Sequence, residues 1–243
     1  MSQDFVDPGI AGLPGLDRWK LPVWARGVNR VLSKLRMPVN LCCRFDYRED
    51  MVSVEQAANF ELLIAELLES RVPGDFVEMG CYIGSTASIF AKLLQRHDSG
   101  RALHVFDRFD IERGASHGIR AQFEANLRAT GAPMPVIHQG DLFETVPGGL
   151  PERIAFAHID LGVGTDTALH QRLVTHALEH AYPRMSPKGI IVVMDYHVPG
   201  LTVQGFDANP GSRPATDRFL AGKPERMHLL YGGPCSHAFL RKS

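Results

Sequence analysis

From residue 53 to residue 194 the chain alternates short apolar runs of strand length with apolar stripes of helical period. The runs that fit buried strands are Phe76–Met79, Ala102–Phe106, Val136–His138, Ile154–Ile159 and the β-branched Ile190–Met194. Between them lie the stripes Ala57/Phe60/Ile64/Leu67, Ser85–Arg96, Ile119/Phe123/Leu127 and Leu169/Leu173/Ala177. Strand, helix and strand in succession close as a right-handed crossover, so this repeat predicts an α/β fold with a doubly wound, mostly parallel sheet. The tail, Arg226–Tyr231 and His237–Arg241 around Gly232-Gly233, reads as a closing hairpin. It brings the expected sheet to seven strands and adds an antiparallel terminal strand.

Local signals agree with this spacing. Ser53-Val-Glu-Gln56 is a capping box, in which serine and glutamine side chains each take a backbone amide at the start of a helix. Pro73-Gly74, Gly131 and Pro183 stop helices, and Ser186-Pro-Lys-Gly189 reads as a turn before the last central strand. The first fifty residues differ: Pro8, Gly9, Gly12, Pro14 and Gly15 predict an irregular arm over 1–50, with one short helix near Ala25–Leu35. Residues 51–243 form the expected domain. The arm, with Trp19 and Trp24, is expected to pack on that domain or a second copy, favouring a homo-oligomer, or else to cover the substrate.

Composition narrows the partners. There are 26 basic and 27 acidic residues, a net charge of −1, so nucleic acid is not an expected partner. The longest apolar runs, near Phe60–Leu68 and Ile190–Met194, fall short of the roughly 20 residues a membrane span needs. Four cysteines (Cys42, Cys43, Cys81, Cys235) match neither a disulfide framework nor a zinc spacing. With no leader-like basic start and apolar run at Met1-Ser-Gln-Asp-Phe5, the expected location is the cytoplasm.

The chemistry concentrates at the ends of the expected strands. Phe76-Val-Glu-Met-Gly-Cys-Tyr-Ile-Gly-Ser85 runs a strand through Glu78 and Gly80 into a helix that starts after Gly84. Glycine there lets backbone approach a ligand, and the helix start offers free amides. Three residues separate Gly80 from Gly84, so this is not the dinucleotide fingerprint, and a nicotinamide oxidoreductase is disfavoured. Glu78 suits a cationic amino-acid group better than a pyrophosphate. Asp107 ends the second strand, where nucleotide folds bind ribose hydroxyls, and Gly140-Asp141-Leu142-Phe143 follows the third. Each of these alone is also an ordinary turn former.

Together these segments resemble the macrocin O-methyltransferase family of class I, Rossmann-like methyltransferases. The resemblance rests on Val72–Thr86, Val-Phe-Asp-Arg-Phe (105–109) and Gly-Asp-Leu-Phe-Glu-Thr-Val-Pro (140–147). It extends through His-Ile-Asp (158–160), Tyr-Pro-Arg-Met-Ser-Pro-Lys-Gly (182–189) and Met-Asp-Tyr (194–196). The resemblance implies an S-adenosylmethionine-dependent methylation of a hydroxyl on a small-molecule acceptor, such as a sugar or secondary metabolite, in several members with Mg²⁺. It implies that Glu78, Gly80, Gly84 and Ser85 hold the methionine part, Asp107 the ribose, and Asp141 with Leu142 the adenine. Cys81, Tyr82, Arg108, Gly140 and Asp160 complete the expected cofactor site.

The family's metal pattern is Asp-x-Asp-Leu-Tyr after the fourth strand and Asp-Asp-Tyr after the fifth. Here the corresponding residues are Asp160-Leu-Gly-Val-Gly and Met194-Asp195-Tyr196, so Asp160 and Asp195 match and a methionine stands in a carboxylate position. Thioether sulfur does not replace a hard oxygen ligand for Mg²⁺, and His197 would add a nitrogen better suited to Zn²⁺, Mn²⁺ or iron. Three readings stay open at this stage. Asp160 and Asp195 hold a metal, or Asp195 or His197 acts as a metal-independent base, or all three are polar caps on strand ends. The last reading would leave a cofactor-binding protein without catalysis. Two segments, Arg108–Gly118 and Val198–Pro214, are the expected substrate mouth and lid. His138 and His158 are expected to be core or rim residues, and His176 with His180 to share a helix face.

Overall fold

Ser53 caps α2 (Val54–Glu69) as its spacing predicts: its hydroxyl accepts from the Gln56 N–H, and the Gln56 side chain returns to the Ser53 N–H. The Ser53 hydroxyl also donates to the Gly232 carbonyl at 2.7 Å, tying this helix start to the far end of the chain. The structure is a computed structural model; it describes residues 23–37, 52–97, 99–110, 118–163, 166–202, 209–233 and 235–243. Most of the expected arm, Cys42 and Cys43 included, lies outside the described residues, as do 111–117 of the expected mouth and 203–208 of the expected lid. The arm's short helix is present as α1 (Val23–Lys34).

After α2 the order is β1 (Asp75–Met79), α3 (Ser85–Arg96), β2 (Leu103–Asp107), α4 (Ile119–Thr130), β3 (Val136–Gln139), α5 (Leu142–Gly149) and β4 (Ile154–Ile159). There follow α6 (Thr167–Ala181), β5 (Met185–Met194), α7 (Ser212–Leu220), β6 (His228–Leu230) and β7 (His237–Arg241). The sheet order is β3-β2-β1-β4-β5-β7-β6, with β1 to β5 parallel and β7 antiparallel to its neighbours. The seven-stranded, doubly wound expectation is met. Because strand order reverses between β1 and β4, the helices leave the sheet on opposite faces there, which opens a crevice at the strands' carboxyl ends.

Alternation along the buried strands feeds two cores. One face carries Phe76, Val105, Phe156 and Val192 against Phe60, Phe90 and Phe123 of α2, α3 and α4. The other carries Val77, Phe106, Ala157 and Val193 against Val146, Val174 and Ala215 of α5, α6 and α7. Burying each large side chain contributes about 1.5–3 kcal/mol against the entropy of ordering it. No helix among the described residues is long and apolar enough to cross a membrane.

Three local expectations are corrected. The Ser186–Gly189 turn lies within β5: the partner of Ile154 is Met185 and that of Phe156 is Ile190, so the extra residues form a bulge. Hydrogen bonds from the Lys188 N–H to the Lys242 carbonyl, and from the Lys242 N–H to Gly189, hold that bulge to the C-terminal end. Helices α5 and α7 were not expected. Pro147 and two glycines hide the first, and the Gly- and Pro-rich neighbourhood hides the second.

Candidate functional site

The crevice beyond β1, β2, β3 and β4 is walled by the loops the sequence singles out. Gly80 donates to the Phe106 carbonyl at 2.8 Å, and the Asp160 N–H donates to Met79 at 2.9 Å, so the ends of three strands are laced together. Gly80 has φ +82, and a Cβ there would lie 1.8 Å from the Asp160 carbonyl oxygen. Only glycine lets these chains cross. Gly84, at φ +84, starts α3 without a side-chain cap, and a Cβ there would meet Leu127 and Phe123 at 2.7 Å. Of the expected cofactor residues, Gly80, Cys81, Tyr82, Ser85, Asp107 and Arg108 line the cleft. So do Gly140, Asp141, Leu142 and Asp160, with Phe143 and Val163 adding apolar wall. Glu78 and Gly84 stand behind the lining.

Asp107 does more than the sequence reading gives it. Its Oδ2 accepts from the Cys81 and Tyr82 N–H groups at 2.8 and 2.9 Å, and its Oδ1 accepts from Phe109 at 2.7 Å. Three backbone amides thus use most of the roughly four lone-pair sites of a carboxylate and fix the glycine loop against β2. Asp107→Ala is expected to free that loop and weaken ligand binding in the cleft at least about tenfold, with the fold retained in far-UV dichroism. Unchanged affinity would remove Asp107 from the site. Burial, then the Asp107 and Glu78 carboxylates, push the Cys81 thiol well above its usual range, so it sits in the wall as a neutral group. Arg108 pairs with Asp110 at 2.6 Å on the exposed rim. Asp141 caps α5, accepting from the Phe143 N–H at 2.9 Å, which presents Leu142 and Phe143 to the cleft.

Glu78 is fully buried. Its Oε1 accepts from the Thr86 hydroxyl and lies 3.1 Å from His158 Nδ1, beneath the rings of Phe60 and Phe90. Glu78 therefore braces β1 against α3 and β4 from below the cleft floor. His158 is a core residue, as expected. His138 stacks on Phe106 with ring centroids 4.3 Å apart. The rings of His176 and His180 meet at 4.4 Å on one helix face, as their spacing predicts.

The expected catalytic residues gather beside β5. Asp195, at φ +56, turns the chain out of the strand and accepts the His197 N–H on its carbonyl at 2.8 Å. Its Oδ2 accepts from the Asn209 side-chain amide at 2.7 Å. His197 Nδ1 lies 2.9 Å from the Thr202 hydroxyl. Tyr196 turns inward and donates to Asp217, and burial together with that carboxylate pushes its pKa up to about 12. Asp195 and His197 line a second cavity of about 380 Å³, walled also by Pro199, Pro214, Arg213 and Asp217. Asp160 lines the first cleft. Asn209 lines both, and no sequence signal marked it, since its partner lies fourteen residues away across the expected lid.

A hard divalent cation does not fit this donor set. Among the described residues no three His, Cys, Asp or Glu side chains are placed to share an ion. In the family's carboxylate position Met194 is buried, and its sulfur accepts from the Gln56 amide at 3.6 Å. Cys235, near both carboxylates, is held protonated, its pKa pushed to about 12 by burial and then by Asp160 and Asp195.

Residues 77–196, just under half of the chain, match the family model described as a methyltransferase domain. In Streptomyces olivaceus, 8-demethyl-8-(2,3-dimethoxy-alpha-L-rhamnosyl)-tetracenomycin-C 4'-O-methyltransferase is 29% identical over 170 residues, covering 61% of this chain and 62% of that one. The match thus spans less than two thirds of that relative. The O-methyltransferase NovP superposes with a TM-score of 0.63 at 15% identity, covering 78% of this chain and 80% of its own. CalS11, a TDP-rhamnose 3'-O-methyltransferase, does so with a TM-score of 0.59 at 22% identity, covering 92% and 89%. At such identities the likeness is one of fold. The match agrees with the macrocin-type resemblance of the motifs, and the chain shares the Rossmann-like sheet of these methyltransferase structures.

Proposed function

We propose that this chain transfers a methyl group from S-adenosylmethionine to a hydroxyl of a small acceptor of the sugar or secondary-metabolite type. One observation carries the reading: the strand-end cleft and the second cavity share the wall residue Asn209, with Asp160 facing the first and Asp195 the second. A donor and an acceptor held in two adjoining cavities meet in line, and such alignment is the main service a protein renders this chemistry. The curated relative and CalS11 act on rhamnose-bearing molecules by their names, which supports that acceptor class, and NovP is by its name an O-methyltransferase.

In this reading Gly80, Cys81, Tyr82 and Ser85 receive the methionine end, and Asp107 the ribose. Gly140, Asp141, Leu142 and Phe143 frame the adenine. S-adenosylmethionine supplies the sulfonium methyl: the C–O bond forms as the C–S bond breaks, and the hydroxyl proton leaves the acceptor oxygen. Asp195 and His197 stand at the acceptor cavity to take that proton, while the Arg213–Asp217 pair, 3.3 Å apart, offers both signs of charge to neighbouring hydroxyls. The reading includes a cytoplasmic location. It also includes a homo-oligomer, supported by the exposed stripe Trp24, Val28 and Val31 on α1, with exposed Leu35 just beyond its end.

S-adenosylhomocysteine titrated calorimetrically into the full chain is expected to bind at micromolar strength, about −8 kcal/mol. No binding heat would overturn the cofactor assignment. With SAM and a panel of hydroxylated glycosides, Asp195→Asn is expected to keep the product affinity and cut turnover by about 10²-fold or more. Full turnover in that variant would remove Asp195 from the reaction.

A further inference from the structure

We propose that the Asn209 side-chain amide holds Asp195 where a divalent cation would otherwise sit, so that this chain runs its transfer reaction without a metal. The inference rests on the methyl-transfer reading above and narrows its mechanism.

The geometry starts with the pair itself. Asn209 is 4% exposed and lies 2.7 Å from Asp195 Oδ2. An ionised carboxylate only accepts hydrogen bonds, so the NH₂ end of the amide faces it, with its partial positive charge toward that oxygen. A Mg²⁺ ion needs oxygen ligands at about 2.0–2.1 Å in near-octahedral order. A cation taken up by Oδ2 would meet the positive end of this amide and would have to displace it from the carboxylate. The surrounding donors do not compensate. Met194 offers only a soft sulfur engaged with Gln56. Among the described residues no third His, Cys, Asp or Glu side chain is placed to join Asp160 and Asp195 around an ion.

The same amide performs the positional part of a cation's work. It fixes the torsion of the Asp195 carboxylate at a residue whose backbone, at φ +56, already turns sharply out of β5. It does so at the wall common to both cavities. An acceptor hydroxyl at this wall would point its proton to the Asp195 carboxylate and a lone pair toward the strand-end cleft. As its oxygen takes the methyl group and the bond to sulfur breaks, the proton passes to Asp195, leaving a methyl ether and a neutral thioether. Asn209 is thus a positioning residue, acting through Asp195.

The test titrates Mn²⁺ and Mg²⁺ calorimetrically into the full chain saturated with S-adenosylhomocysteine, beside turnover measured in EDTA and in millimolar Mg²⁺. The wild type is expected to give no cation heat, and turnover in EDTA within about twofold of that in Mg²⁺. Cation heat in the wild type, or a loss in EDTA that Mg²⁺ restores, overturns the proposal. Asn209→Asp puts a third carboxylate at the wall. It is expected to lower kcat about tenfold or more, to leave the acceptor KM nearly unchanged, and to create Mn²⁺ binding that the wild type lacks. A folded Asn209→Asp protein with wild-type kcat, or one that still ignores Mn²⁺, overturns the role given to the amide. Should that variant fail to melt cooperatively, the wild-type titration decides alone. Absence of S-adenosylhomocysteine heat marks failure of the methyl-transfer reading instead, since the cation titration reads the carboxylate pair with or without that ligand.

Discussion

Gly80→Ala is expected to abolish measurable S-adenosylhomocysteine binding and to destabilise the fold by roughly 2–5 kcal/mol, the sum of a left-handed backbone strain and an overpacked crossing. The cause is geometric. The Cβ of an alanine would lie 1.8 Å from the Asp160 carbonyl oxygen, which is backbone and cannot swing away as a side-chain tip could. Either β1 must separate from β4 or the Gly80 turn must open, and each movement displaces Asp160 and the Cys81–Tyr82 amides together. Gly148→Ala serves as the control, because a Cβ there meets nothing within 4 Å. Urea denaturation and product calorimetry on both variants decide the matter. A Gly80→Ala protein with wild-type midpoint and affinity would show that the crossing relaxes at little cost, against the close packing described here.

The second large effect is on pH. Burial lowers the pKa of both His170 and His237 to about 4, from an ordinary value of 6.5. Each ring therefore binds a proton more readily in the unfolded chain than in the folded one. Stability contributed by the neutral rings is complete above about pH 6.5 and is lost as pH falls toward about pH 4. Over the whole window the loss is roughly 3 kcal/mol for each ring. The urea midpoint is expected to fall steadily between about pH 7 and pH 5, before ordinary carboxylates begin to titrate. His170→Gln and His237→Gln are each expected to flatten part of that slope, even where they cost stability at neutral pH. The remainder comes from the other ring and from His104, His138 and His176, whose pKa values burial also lowers. A midpoint constant across that range would show that neither ring gains a proton on unfolding.

How much of this was legible follows residue by residue. The capping box at Ser53, the βα repeat and the closing hairpin are written in local spacing, because helical and strand periods repeat over a few residues and need no partner to be seen. The Gly80 and Gly84 positions were legible for the same reason, since their conformations are set by the adjoining strand and helix. Helix α5 was not. Its cap, Asp141, was visible as a strand-end carboxylate, but Pro147-Gly148-Gly149 argues locally against a helix, and packing of Leu142 and Val146 on the second core overrides it. Its place in the motif points Glu78 at a ligand. In the fold it points beneath the cleft to Thr86 and His158, because side chains alternate along β1 and position 78 faces the core of α2 and α3.

By itself the sequence determined the class of fold, the direction of its strands and the carboxyl ends where the candidate residues collect, because all of these follow from short-range periodicity and chain chirality. Only the tertiary structure decided what those residues touch. Asp107 became the tie for the glycine loop, Glu78 a brace, Met194 a partner of Gln56, and Asn209 the residue joining two cavities. The reason is physical: a hydrogen bond between positions far apart in the chain depends on how whole strands and helices come to rest against each other, and no local pattern encodes that distance.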